Sequence, residues 1–277
     1  MTTTDGLASR SIDVPGARLH YEVRGSGPVL LVIGSPMAAA EFAPLAHAMA
    51  VDHTAVTYDP RGFAGSPVED PDGPSNPDLR ADDVAAILDD LGVESADVFG
   101  SSGGAVTGLA MVVRHPGRVG TLVAHEPPLL ELLDDADAQR AATVDIVETF
   151  RTDGFHAAWM KFMLNAGFDI GGGDGTAPDG QGAPVPTDIE LAEAARFFVH
   201  DLVPTTRYVP DFDVLRGSAS RVVIGLGADS GHLVTKRTSI AVAERLGLDT
   251  TAFPGDHGGF LGAPGEFANR LRQVLTP

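Results

Sequence analysis

Cysteine is absent from this chain of 277 residues. Disulfides, thiolate nucleophiles and cysteine-ligated zinc are therefore excluded. Positive charge is scarce. Nineteen Lys and Arg stand against 38 Asp and Glu, a formal net charge of −19, and Lys161 and Lys236 are the only lysines. Nucleic acid needs a basic footprint and is excluded as a partner. An anionic membrane surface is disfavoured on the same ground, so the acidic balance reads as solubility. No apolar run approaches the roughly 18 residues of a membrane helix. Residues 1–10 (MTTTDGLASR) are polar and lack the apolar stretch of a signal peptide. The expectation is a cytoplasmic protein with no membrane partner.

What remains is ample apolar content. The chain is 43% hydrophobic and only 21% charged, a globular composition. Its length suits one large domain, or one domain with an insertion. Monomer and homodimer are both compatible with it.

Short β-like runs alternate with helix-like runs, the pattern of an α/β sheet protein. Strands are predicted at 18–24, 29–33, 54–58, 96–99, 119–124, 221–226 and 249–253. The run VLLVI at 29–33 is wholly apolar, as a strand covered on both faces should be. Val84, Ile87, Leu88 and Leu91 share one helical face. Asn76-Pro77-Asp78 offers that helix its N-cap, and Gly92 its stop. Residues 105–113 are apolar nearly all round, which predicts a buried helix. After Glu126 the rhythm breaks. Residues 129–204 lack strand signals and hold helical stretches near 141–151, 155–165 and 189–199. Between the last two lies the Gly/Pro-rich run 171–186. We read a core of 1–128 and 205–277 interrupted by a helical cap at 129–204.

The chemistry is carried by Gly100-Ser101-Ser102-Gly103-Gly104, a G-x-S-x-G run between a strand and the buried helix. A sharp turn there lifts Ser102 out of the chain, and its flanking glycines remove Cβ atoms that would collide with neighbouring elements. The helix N-terminus behind it favours negative charge, and the Gly103 N–H lies where an oxyanion would form. A serine hydroxyl needs a base. Of nine histidines, His257 sits between glycines just past the last strand and before the last helix, at the sheet edge where Ser102 emerges. The base needs an orienting carboxylate. Asp229 follows the strand 221–226 and is the favoured acid. Glu126, at the end of the strand 119–124, is its rival. Asp169, Asp174 and Asp179 do not have the spacing of an EF-hand loop, and no metal or cofactor is expected.

These residues resemble the α/β-hydrolase superfamily, in its branch of small cytosolic serine esterases, lactonases and haloperoxidase-like enzymes. The order Ser102, Asp229, His257 is the order of that family's triad. Asp59-Pro60-Arg61-Gly62-Phe63-Ala64-Gly65-Ser66 resembles its D-x-R-G-x-G-x-S turn, with Ala64 at a usual glycine. The resemblance implies an α/β-hydrolase fold: a mostly parallel eight-stranded sheet, helices on both faces and an inserted helical cap. The family commonly carries His-Gly-x-Pro after its third strand. Here Ile33-Gly34-Ser35-Pro36 stands instead, and by position the second oxyanion donor is Ser35, through its amide or its hydroxyl. Met37 is the alternative donor, and would then help line an acyl pocket with Trp159, Phe162 and Met163 of the cap. A serine at the elbow argues against the epoxide and halide chemistry of family members with Asp there.

The expected function is hydrolysis of a carboxylic ester or lactone of a small, largely apolar molecule through an acyl-enzyme. C–C hydrolysis, acyl transfer or peracid formation by the same triad is the alternative. A non-catalytic binding protein on this fold is a further one.

Overall fold

The computed structural model describes residues 6–169 and 186–276. The run expected at 171–186 falls outside the described residues, except for Pro186. Eight strands form one sheet: β1 (Ala8–Val14), β2 (Ala17–Gly25), β3 (Val29–Ile33), β4 (Thr54–Tyr58), β5 (Ala96–Ser101), β6 (Val119–His125), β7 (Arg221–Gly227) and β8 (Thr250–Phe253). Their spatial order is β1-β2-β4-β3-β5-β6-β7-β8. β2 is antiparallel to β1 and β4, and every other neighbouring pair is parallel. β1 has no counterpart among the predicted strands. Its sequence, ASRSIDV, is mostly exposed and holds no apolar run, as an edge strand can be.

Alternate residues of β3 serve two cores. Leu31 and Ile33 join the cluster under α2 (Pro77–Asp90), α3 (Gly103–Arg114), α8 (Phe212–Gly217) and α9 (Val234–Leu246). Leu30 and Val32 join Phe42 and Leu45 of α1 (Ala39–Met49) and Phe267 and Leu271 of α11 (Pro264–Leu275) on the opposite face. The strand is covered on both sides, which is why its sequence shows no alternation. α2 begins as its sequence predicts. The Asn76 side chain accepts the Leu79 N–H at 2.8 Å, and Pro77 occupies the first turn. Gly92 follows its end with φ +67°.

Between β6 and β7 the described chain is helical: α4 (Ala136–Asp153), α5 (Phe155–Ala166), α6 (Asp188–Ala195), a π-helical turn at Arg196–Asp201 and α7 (Leu202–Thr206). These helices share their own apolar cluster, in which Ile146, Ala158 and Phe198 are buried with Phe63 from the loop after β4. Arg196 ties this layer to the sheet domain by donating to the carbonyls of Pro71, Gly73 and Pro74. No helix of the described residues is long and apolar enough to cross a membrane.

The parallel register brings Ile33, Ser101, His125 and Gly227 to one edge of the sheet. The segments that follow them converge there, where the chain leaves β3 and β5 in opposite directions.

Candidate active site

β5 runs directly into α3 through Ser102. This residue has φ +55° and ψ −123°, a conformation rare for a residue with a side chain. The Ser102 N–H donates to the His125 carbonyl at 2.9 Å, and its own carbonyl accepts from Ala105. The glycines of the motif have identifiable neighbours. A Cβ on Gly100 would lie 2.5 Å from the Gly104 carbonyl oxygen, and one on Gly104 would lie 2.3 Å from that of Ile33. The turn is tight because strand, loop and helix touch through bare backbone.

His257 lies between β8 and α10 (Gly259–Gly262). Its Nδ1 is 2.7 Å from Oε2 of Glu126. Glu126 is completely buried and stands one residue past β6 with φ +52°. Its carboxylate also accepts from the Gly227 N–H at 3.0 Å, from the Thr235 hydroxyl at 2.6 Å and from the Ser230 hydroxyl. Burial works to raise its pKa. The hydrogen bond and charge of His257, with smaller help from His125 and Ser230, outweigh burial and hold it at about 2. The ionised carboxylate can only accept. His257 therefore carries its proton on Nδ1 and presents the Nε2 lone pair elsewhere.

This corrects the acid expected at Asp229. Gly227 and Ser230 close a turn after β7, with the Ser230 N–H on the Gly227 carbonyl. That turn aims the Ser230 hydroxyl at Glu126 and leaves Asp229 exposed. The Asp229 backbone N–H does donate to the Gly255 carbonyl at 2.9 Å, bracing the loop that carries His257. Its contribution is main chain, not carboxylate.

Ser35 and Gly103 pack against each other. A Cβ on Gly103 would lie 2.5 Å from the Ser35 carbonyl oxygen. Gly103 is the first residue of α3, where the N–H has no helical acceptor. Among the described residues no loop or turn carbonyl accepts the Ser35 N–H. The Ser35 hydroxyl is committed, donating to Asp201 Oδ2 at 2.8 Å. Of the two routes expected for Ser35, only the amide is open.

Asp201 closes the π-helical turn and is 1% exposed, and Arg80 is fully buried. The two form an ion pair, joined by the hydroxyls of Ser75 and Thr205. Neither residue was singled out from the sequence, where each is one charge on a helical run. A π-helical turn is the feature that would have marked Asp201, and it has no sequence signature. His125 was also missed. It is wholly buried beneath the site, its ring 6.3 Å from that of His257 and packed by Phe99, Phe253, Phe260 and Phe267. Burial in that apolar surround, with the His257 charge opposing and the Glu126 charge favouring protonation, pushes its pKa down to about 3.

Ser102, Gly103, Ser35 and His257 all line one cavity of about 440 Å³. Met37, Trp159, Phe162 and Met163 line it too, so the expected pocket residues are brought together. Among the described residues no group of three or more His, Asp or Glu is placed to hold a metal ion. Asp174 and Asp179 lie outside them. The arrangement presents a hydroxyl, an oriented imidazole and two free amides to one apolar chamber.

Residues 27–158 match the family described as alpha/beta hydrolase fold. An uncharacterized hydrolase, YraK, of Bacillus subtilis strain 168 is 31% identical over 282 residues, covering 99% of this chain and 97% of that protein. A 2-(acetamidomethylene)succinate hydrolase of Mesorhizobium japonicum is 27% identical over 227 residues, 79% of this chain and 81% of that one. A thermophilic esterase of Thermogutta terrifontis shares the fold with a TM-score of 0.68 at 17% identity, over 97% of this chain and 98% of the other. The end-to-end likeness to the Bacillus hydrolase and the eight-stranded sheet agree: the chain belongs to the alpha/beta-hydrolase family.

Proposed function

We propose that this protein is a serine hydrolase that cleaves a carboxylic ester or lactone of a small, largely apolar molecule. Ser102 Oγ attacks the carbonyl carbon while His257 Nε2 takes its proton, and Glu126 orients the ring and stabilises the imidazolium. The amides of Gly103 and Ser35 receive the tetrahedral oxyanion. His257 returns the proton to the leaving alkoxide. It then activates water, which releases the acid from the acyl-enzyme.

One observation carries this reading. A serine on a strained elbow opens into the same cavity as a histidine whose Nδ1 is 2.7 Å from a buried, ionised carboxylate. Strain of this kind costs on the order of 1–3 kcal/mol and persists at sites where geometry serves a purpose. A binding protein has no need of the proton-transfer pair.

The test is labelling by a fluorophosphonate together with turnover of a panel of neutral p-nitrophenyl esters. The wild type should label once and hydrolyse at least one ester, and Ser102→Ala should do neither while unfolding at the wild-type temperature. A folded wild type that takes no label defeats the nucleophile assignment. Product masses showing free acid, rather than an acyl group moved to another acceptor, distinguish hydrolysis from transfer.

A further inference from the structure

The cavity over Ser102 has an uneven supply of polar groups. Its carboxylates are Asp201 and Asp256, and among the described residues it has no arginine or lysine in its lining. Residues 170–185, which lie outside the described ones, contain no lysine or arginine in their sequence. Lys236 and Arg207, next in sequence to the lining residues Thr235 and Thr206, are not themselves among the lining residues, and three other cations of the surrounding elements are engaged elsewhere. Arg80 is paired with Asp201, Lys161 with Asp145 at 2.6 Å, and Arg196 with three loop carbonyls.

The neutral polar groups are mostly committed as well. The hydroxyls of Thr143 and Thr206 donate back to Gln139 and Leu202 carbonyls, both at 2.8 Å. Thr235 donates to Glu126, and Thr205 sits between Arg80 and Asp201. Asn165, near the end of α5, differs. It lines the cavity, and among the described residues its side-chain amide has no hydrogen bond. Among the described lining residues, apart from the reacting groups, it is the side-chain amide free to recognise a bound molecule.

We propose that this cavity selects uncharged substrates. The acyl portion is apolar except for one neutral hydrogen-bonding group, such as a carbonyl or carboxamide, which Asn165 recognises. Substrates carrying a carboxylate on the acyl chain are rejected. A carboxylate brought here would exchange its water shell for rings and methyls beside the Asp256 carboxylate, with no cation in the described lining to pair with it. A neutral group meets no such penalty, and a complementary amide discriminates in its favour.

The inference rests on the serine-hydrolase reading and is tested with three matched fluorophosphonates. One ends in a hexyl methyl, the second replaces that methyl with a carboxylate, and the third with a carboxamide. Inactivation rate constants are measured for the wild type and for Asn165→Leu, with the labelled residue located by mass spectrometry. For the wild type, the carboxylate probe should react at least about 100-fold more slowly than the hexyl probe. The carboxamide probe should stay within about tenfold of the hexyl probe, and Asn165→Leu should slow it by a further tenfold or so without slowing the hexyl probe. Carboxylate and hexyl probes labelling Ser102 within threefold of each other would overturn charge selection and leave the hydrolase reading standing. An unchanged carboxamide-to-hexyl ratio in Asn165→Leu would overturn the role of Asn165. No labelling of Ser102 by any probe would overturn the hydrolase reading, and this inference with it.

Discussion

At the scale of single residues, two carboxylates competed for His257, and the structure pairs it with Glu126. Both follow strands that end at the active edge of the sheet, so spacing alone could not separate them. The difference is conformational. Glu126 takes φ +52°, which turns its longer side chain inward onto Ser230, Thr235 and the Gly227 amide. Asp229 stands on a turn that faces water. A positive φ at a glutamate has no signature in the chain. The hydroxyls that satisfy Glu126 lie 104 and 109 residues further on. Ser102 and His257 were legible because each sits among glycines that a close backbone approach demands. Replacing Glu126 by Gln keeps the shape and removes the charge, so His257 loses its fixed tautomer and the partner of its imidazolium. The turnover number should fall on the order of 10³-fold or more, with KM changed little. Asp229→Asn should stay within about twofold of wild type, because its brace on Gly255 is main chain. Equal losses in the two variants would return Asp229 to contention.

At the scale of elements, the strand–elbow–helix unit and the Asn76-capped helix could be read directly, since local chemistry determines both. The π-helical turn at Arg196–Asp201 could not, because it is set by what packs around it. That turn joins two layers. Asp201 accepts the Ser35 hydroxyl on one oxygen and the Arg80 guanidinium on the other, so cap, α2 and the loop after β3 meet at one carboxylate. Truncation by Asp201→Ala leaves a guanidinium that is wholly buried without its counter-charge, and should lower stability by about 3–5 kcal/mol. Replacing both partners, as in Arg80→Met with Asp201→Leu, removes the stranded charge and should recover most of that loss in urea unfolding. The double variant should nevertheless stay catalytically impaired, because Ser35 has lost its tether. A double variant no more stable than Asp201→Ala would show that packing, not charge burial, governs this contact.

At the scale of the whole molecule, the excess of 19 negative charges suggests that acid should help, by relieving repulsion as surface carboxylates protonate. The buried groups under the site work the other way. His125 titrates near 6.5 when unfolded but is held down to about 3 when folded, first by burial. Below pH 6.5 the unfolded chain therefore takes a proton that the folded chain refuses. The stability this group contributes is complete above that pH and is lost as the pH falls toward 3, at up to about 1.4 kcal/mol per pH unit. Glu126 adds a second limb. Its pKa drops from 4.5 unfolded to about 2 folded, so its contribution is present above 4.5 and fades as the pH falls through 2. His200 is lowered too, by burial first and by Arg196 next, and adds to the same trend. Salt at 0.5 M screens the surface repulsion and leaves the buried terms. His125→Phe places a ring among four phenylalanines and removes one titrating group, leaving His200 unchanged and taking from Glu126 only the smaller help of the His125 charge. Urea unfolding from pH 6.5 to pH 5 in that salt should cost the wild type about 2 kcal/mol more than it costs His125→Phe. Between pH 4.5 and 3 both proteins weaken through Glu126, and the wild type should keep falling faster because its unfolded chain holds a His125 proton that the folded chain still refuses. Identical slopes between pH 6.5 and 5 would mean that His125 takes up its proton inside the folded protein, and that the site tolerates a charge beneath His257.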